Sequence, residues 1–277
     1  MIRKTILLLT LTMGIFSNIF GQKKSVNKYQ PDWTFYFSNV DNNLSSISTD
    51  LNLNSIAPIE NQENVIYVSI KMLNPKENGL SDNEEAEKLW KIEDDIIDNL
   101  KAEKLNYTYV GRLTSNGLRD LYFYSDNGNF EKAVVDVMRN YPEYKFAFGI
   151  DEDKTWNGYF NFLYPNPSQL QIIQNRRVVE QLEKKGDNLT KEREVVHWVY
   201  FNNKEDLEKF EKFAISNNYK INLKKKAEPS INYKYVISIS RIDKIGYNEI
   251  DEHTLKLFEK ARMLNGDYDG WETSEEQ

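Results

Sequence analysis

Apolar residues in this chain repeat first with a period of two and then with a period near 3.6, and the succession occurs twice in the same order. That order narrows the fold more than any single residue, because a strand face and a helix face need different spacings. Residues 65–72 alternate, with Ile66, Val68, Ile70 and Met72 on one side, which predicts a half-buried strand. Ser81 followed by Glu84 has the form of a capping box, and Ala86, Leu89, Trp90, Ile96, Ile97 and Leu100 then recur at helical spacing to about residue 104. Residues 107–113 and 118–124 are aromatic-rich strand patterns around Asn116-Gly117, a pair that tolerates the positive φ of a tight hairpin. Phe130, Ala133, Val134, Val137 and Met138 form an apolar helical stripe that stops before Tyr141-Pro142, and residues 145–150 supply another strand.

The expected order is therefore β-α-β-β-α-β, the pattern of a ferredoxin-like sandwich. Residues 33–37 and 47–53 suggest an extra strand pair, and 156–164 a trailing segment. Asn166 and Pro167 then open a helix and Gly186 closes it, since asparagine caps, proline fits the first turn and glycine accepts the left-handed exit. The second half restarts the pattern. A strand at 195–201 leads to a helix capped by Asn203, strands at 219–223 and 233–242, a helix through Ile250, Leu257, Phe258, Ala261 and Leu264, and a short last strand at 268–273. The reading is an α+β chain of two ferredoxin-like βαββαβ domains with antiparallel sheets, spanning 22–165 and 189–277 and joined by a linker helix at 166–188. A length of 277 residues suits two domains that each bury a core.

Arg3 and Lys4 precede an apolar run from Ile6 to Phe20 and then Gly21, the layout of a secretory signal peptide at 1–21. The run is short for a membrane span, so the expectation is an exported protein, periplasmic or extracellular in a bacterium, with no stable membrane insertion after cleavage. Lys plus Arg total 36 against 43 Asp plus Glu, a net charge of -7, which argues against a general nucleic-acid binder. The excess is uneven: residues 22–170 carry 15 basic and 23 acidic side chains, whereas 171–277 carry 19 and 20.

Several runs resemble known families. WTFYF from Trp33, SISTDLNL from Ser46, NGLSDNEE from Asn78, IED from Ile92 and YVGRLTSNGLRDLYFY from Tyr109 look like the bacterial family named domain of unknown function 695. From about Arg193 to the terminal NGDYDGW, the chain resembles the regulator of ribonuclease E activity B family, RraB. The first resemblance implies no assigned reaction. The second implies a ferredoxin-like fold and a protein-binding inhibitor, with another protein as the expected partner. A signal peptide and a near-neutral second domain depart from a cytoplasmic ribonuclease inhibitor, so the fold and the binding character carry over and ribonuclease inhibition does not.

Catalytic groups do not assemble in the sequence, and no cofactor is expected. With no cysteine and only His197 and His253, thiolate or multi-histidine zinc sites are excluded. Asn265, Asp267, Asp269, Gly270 and Glu276 fall at calcium-loop spacing, although a helix end followed by a turn explains the same residues. Asp151, Glu152 and Asp153 read as an acidic turn, with a carboxylate- or metal-dependent exported enzyme as the alternative. Candidate interaction residues are Arg112, Arg119 and Asp120 around the hairpin, Trp156, and Tyr268, Asp269, Gly270 and Trp271 near the end. An intracellular ribonuclease regulator is a third reading, if residues 1–21 stay attached.

Overall fold

A computed structural model describes residues 29–126 and 130–276; the expected signal peptide lies outside them. The chain separates into two compact units, Asn27–Pro165 and one built on Asn166–Gln277.

In the first domain, β1 (Trp33–Val40) and β2 (Asn43–Asp50) form a hairpin whose turn residues Asp41 and Asn42 both have positive φ, 49° and 63°. The expected second strand, 47–53, therefore starts earlier and ends at Asp50, whose side chain accepts from the Asn52 N–H and turns the chain into a 3-10 segment, Leu51–Ser55. β3 (Asn64–Lys71), α1 (Asn83–Ala102), β4 (Tyr107–Ser115), β5 (Leu118–Ser125), α2 (Phe130–Met138) and β6 (Phe146–Glu152) follow. The six strands lie in the order β1-β2-β4-β5-β3-β6, every neighbour antiparallel. Ile66, Val68 and Ile70 of β3 and Leu121 and Phe123 of β5 meet Leu89, Ile92 and Ile96 of α1 and Val134 and Val137 of α2 in one core.

The cap of α1 corrects the expected capping box. Asp82, not Ser81, accepts from the Glu85 N–H at 2.8 Å. Glu85 itself is drawn inward, where its carboxylate accepts from the Leu73 and Asn74 N–H groups, so the helix start is set one residue later by a tertiary contact. The trailing segment is a π-helical turn, Gly158–Leu163, held to the sheet where Tyr36 donates to the Leu163 carbonyl and Tyr159 donates to the Asp50 carbonyl.

The second domain starts with α3 (Pro167–Lys184), which has the expected Asn166 cap, completed by Gln169, and ends at Gly186 with φ +80°. β7 (Arg193–Phe201), α4 (Lys204–Ser216), β8 (Lys220–Lys226), β9 (Tyr235–Asp243), α5 (Tyr247–Met263) and β10 (Gly266–Thr273) complete it, with antiparallel strand order β10-β7-β9-β8. Read from the sequence as a connector, α3 instead buries Val179 and Leu182 against Val195, Ile245 and Ile250 and belongs to this unit. Its polar face docks too. Asn175 Nδ2 donates to Asp251 and Thr254 of α5, and Asn175 Oδ1 accepts from Gln171 and from the Trp271 indole.

Candidate functional site

Because side chains alternate along a strand, Trp33, Phe35 and Phe37 of β1 share the sheet face on which α1 and α2 pack. The hairpin extends the sheet past the helices, so these rings stay 42%, 46% and 51% exposed, and Trp90 on α1 is 46% exposed. They border a groove of about 620 Å³ between the β1-β2-β4 surface and the first turns of α1. Register fixes its floor. Phe37 pairs with Ser46, Ser46 with Thr114 and Thr114 with Arg119, giving one row across four strands; Phe35, Ser48 and Arg112 make the row beside it.

The two arginines differ in their partners. Arg112 Nη1 donates to Glu93 Oε1 of α1 at 2.7 Å, and Tyr109 donates to the same oxygen at 2.8 Å. Trp33 packs on the Tyr109 ring, with centroids 5.2 Å apart. Arg119 is 4% exposed and its Nε donates to Thr114 Oγ1 at 3.0 Å, yet its Nη1 has no hydrogen-bond partner among the described residues. Burial, helped by repulsion from Arg112, pushes the Arg119 guanidinium down to about 10, which leaves it charged at neutral pH. Of the charged residues lining the groove, Lys76, Arg112 and Arg119 stand against Asp82 alone, and Asp82 Oδ1 is engaged as the α1 cap.

Two of the sequence candidates thus meet in this groove. Asp120 does not join them: it lies on the opposite face of β5, bonded to Ser69, where burial raises its carboxyl above the usual range. Trp156 is fully buried, stacked on Tyr124 at 4.0 Å and donating to the Gln62 carbonyl, so it offers no contact surface. Sequence reasoning overlooked the β1 rings and placed Trp90 in the buried stripe of α1. The available signal was three aromatics on one parity of the WTFYF strand.

In the second domain, Tyr268 points inward and shares a 2.8 Å hydrogen bond with His197 Nδ1, while Trp271 is spent on Asn175. Asp269 falls at a β-bulge before Gly270, whose φ of +139° suits glycine. The residues with calcium-loop spacing form a strand instead. Asn265 ends α5 with positive φ, Asp267 and Asp269 lie along β10, and Glu276 pairs with Lys191. Among the described residues no group of three His, Cys, Asp or Glu is gathered so as to hold a metal ion.

Residues 31–164 match the family of unknown function DUF695, and residues 172–273 match the family described as regulator of ribonuclease activity B, RraB. The chain joins a DUF695 domain to an RraB-like domain. The groove lies wholly within the DUF695 domain. The RraB-like match begins inside α3, in keeping with the packing of that helix on α5. Comparison with curated proteins finds no match. Among solved structures, an unknown protein from Galdieria sulphuraria aligns at 9% identity and a TM-score of 0.22, covering 77% of this chain and 98% of its own. A "putative glycine cleavage system transcriptional repressor" aligns at 8% identity and 0.25, with the same 77% and 98% coverage. Both scores are too low to define a fold.

The acidic turn of the DUF695 domain has a structural task. Asp153 accepts from the Tyr124 hydroxyl at 2.6 Å and from the Gly158 and Asn157 N–H groups at 2.8 and 2.9 Å. Burial acts to raise its pKa, but the hydrogen bonds from Tyr124, Gly158 and Asn157 outweigh it and hold the carboxyl below the usual range. A depressed folded value gives stability that is present above the unfolded pKa, near 3.9, and lost as pH falls through the folded one. Asp153→Ala is expected to cost about 1–3 kcal/mol at neutral pH by orphaning these donors, with a smaller penalty in acid, read from urea unfolding at both pH values. Asp151, by contrast, is exposed on β6.

Proposed function

We propose that the chain is an exported, non-catalytic binding or regulatory protein whose RraB-like domain recognises another protein. The observation that carries this reading is the match of residues 172–273 to a regulator family. With the β1-β2 hairpin set aside, in both domains the last strand lies beside the first and the second lies beyond the third, which supports two ferredoxin-like sandwiches. Of the groups that could do acid-base work, Asp153 caps a turn and His197 is sealed in the core, while Asp151 stands exposed on β6. Arg3, Lys4 and the apolar run to Phe20 support export, which separates the protein from a cytoplasmic ribonuclease.

Intact-mass analysis of fractionated cells tests the compartment, with a chain starting at Gln22 expected outside the cytoplasm. A full-length cytoplasmic chain overturns export and favours intracellular ribonuclease control. Cross-linking in the fraction that holds the protein is expected to give a defined protein adduct through residues 172–273. Substrate turnover by the purified chain, with no such adduct, overturns the non-catalytic reading.

A further inference from the structure

The groove of the DUF695 domain combines features that point to a ligand of its own. A buried donor without a partner is uncommon in folded proteins, and here it belongs to a charged guanidinium lining an open groove. Arg112 cannot relieve it, since a guanidinium offers no acceptor, and Thr114 Oγ1 already accepts from Arg119 Nε. With Arg112 paired to Glu93, Lys76 and Arg119 stand against Asp82 in the groove lining, and the N-terminal end of the 20-residue helix α1 borders it, which further favours an anion. Around this floor stand hydroxyls from Ser46, Ser48 and Thr114 and the half-exposed rings of Trp33, Phe37 and Trp90.

We propose that this groove binds a small organic carboxylate bearing a flat apolar ring, with Arg119 holding the carboxylate and Trp33, Phe37 and Trp90 enclosing the ring. One unpartnered guanidinium nitrogen beside hydroxyl groups suits a planar anion whose two oxygens reach both. Phosphate, which a guanidinium also grips, is the competing anion. The rings supply stacking surface, and a volume of about 620 Å³ lies within the span of small-molecule pockets. The site lies in the first domain, so it stands or falls separately from protein recognition by the second.

Titration calorimetry of the full chain with phenylacetate, phenylacetamide, acetate and inorganic phosphate tests the assignment. Phenylacetate is expected to bind saturably and raise the melting temperature. The uncharged amide and the ringless acetate are expected to bind at least about tenfold more weakly, since each lacks one half of the recognition. Arg119→Met keeps the buried stem and removes the donors, and should abolish binding. Trp90→Ala, at an exposed position that leaves the fold intact, should weaken phenylacetate severalfold and acetate not at all. The proposal is overturned if phenylacetate does not saturate, if acid and amide bind alike, if phosphate binds more tightly than phenylacetate, or if Trp90→Ala leaves phenylacetate binding unchanged.

Discussion

Replacing Arg193 with methionine is expected to destabilise the RraB-like domain by about 3–5 kcal/mol, the largest single-residue effect anticipated in this chain. The Arg193–Asp187 pair is 1% and 0% exposed, and Arg193 Nη1 donates to both Asp187 oxygens, at 2.8 and 2.7 Å. The same Nη1 also donates to the Ser274 carbonyl, Nη2 donates to that of Asn188 and Nε to that of Lys191, while Asp187 Oδ2 accepts from the Glu276 N–H. Two buried charges thus tie the loop after α3 to the segment after β10. Removing one strands the other in a low-dielectric site, which is why the single substitution costs more than the pair is worth in isolation. Asp187→Leu should cost a similar amount. The double variant should lose clearly less than the sum, because no uncompensated charge remains, although the freed backbone carbonyls keep it below wild type. Urea unfolding of the four proteins supplies the cycle, and single losses under about 1 kcal/mol would show that water reaches the pair.

Features set by local stereochemistry were legible in the sequence. Asn116-Gly117 takes φ values of 48° and 76°, as its hairpin requires, and Asn166, Pro167 and Gly186 bound α3 as their chemistry predicts. Features decided by distant contacts were not. Ser81, Asp82 and Asn83 are all good caps, and what selects Asp82 is Glu85 turning back to the chain after β3. Trp156 and the Tyr268–Trp271 run look like recognition aromatics in one dimension, yet their ring contacts and polar tips are satisfied inside the domains. The groove was half visible. Arg112 and Arg119 could be picked from the hairpin, but only the order β1-β2-β4 brings the WTFYF strand alongside them and leaves its rings beyond the helices.

His197 should make the second domain acid-sensitive. It lies fully buried on β7, its Nδ1 joined to Tyr268 and its Nε2 without a partner among the described residues, with Tyr219 edge-on to its ring. Burial, and then the nearby charges of Arg241 and His253, push its pKa down to about 3. In the unfolded chain the imidazole returns to roughly 6.5, so between these values the unfolded state holds a proton that the native state refuses. Stability from this group is therefore complete above pH 6.5 and is lost as pH falls, at a slope approaching about 1.4 kcal/mol per unit. From pH 7 to pH 5 the loss should be about 2 kcal/mol. His197→Gln can keep a hydrogen bond to Tyr268 but cannot titrate. Carboxylates elsewhere shift both proteins alike, so the stability difference between wild type and variant isolates the imidazole. That difference should move by about 2 kcal/mol in favour of the variant between pH 7 and pH 5. A difference independent of pH would mean that the folded ring takes up a proton as readily as the unfolded one, and that the core around Tyr268 admits a charge its packing is built to exclude.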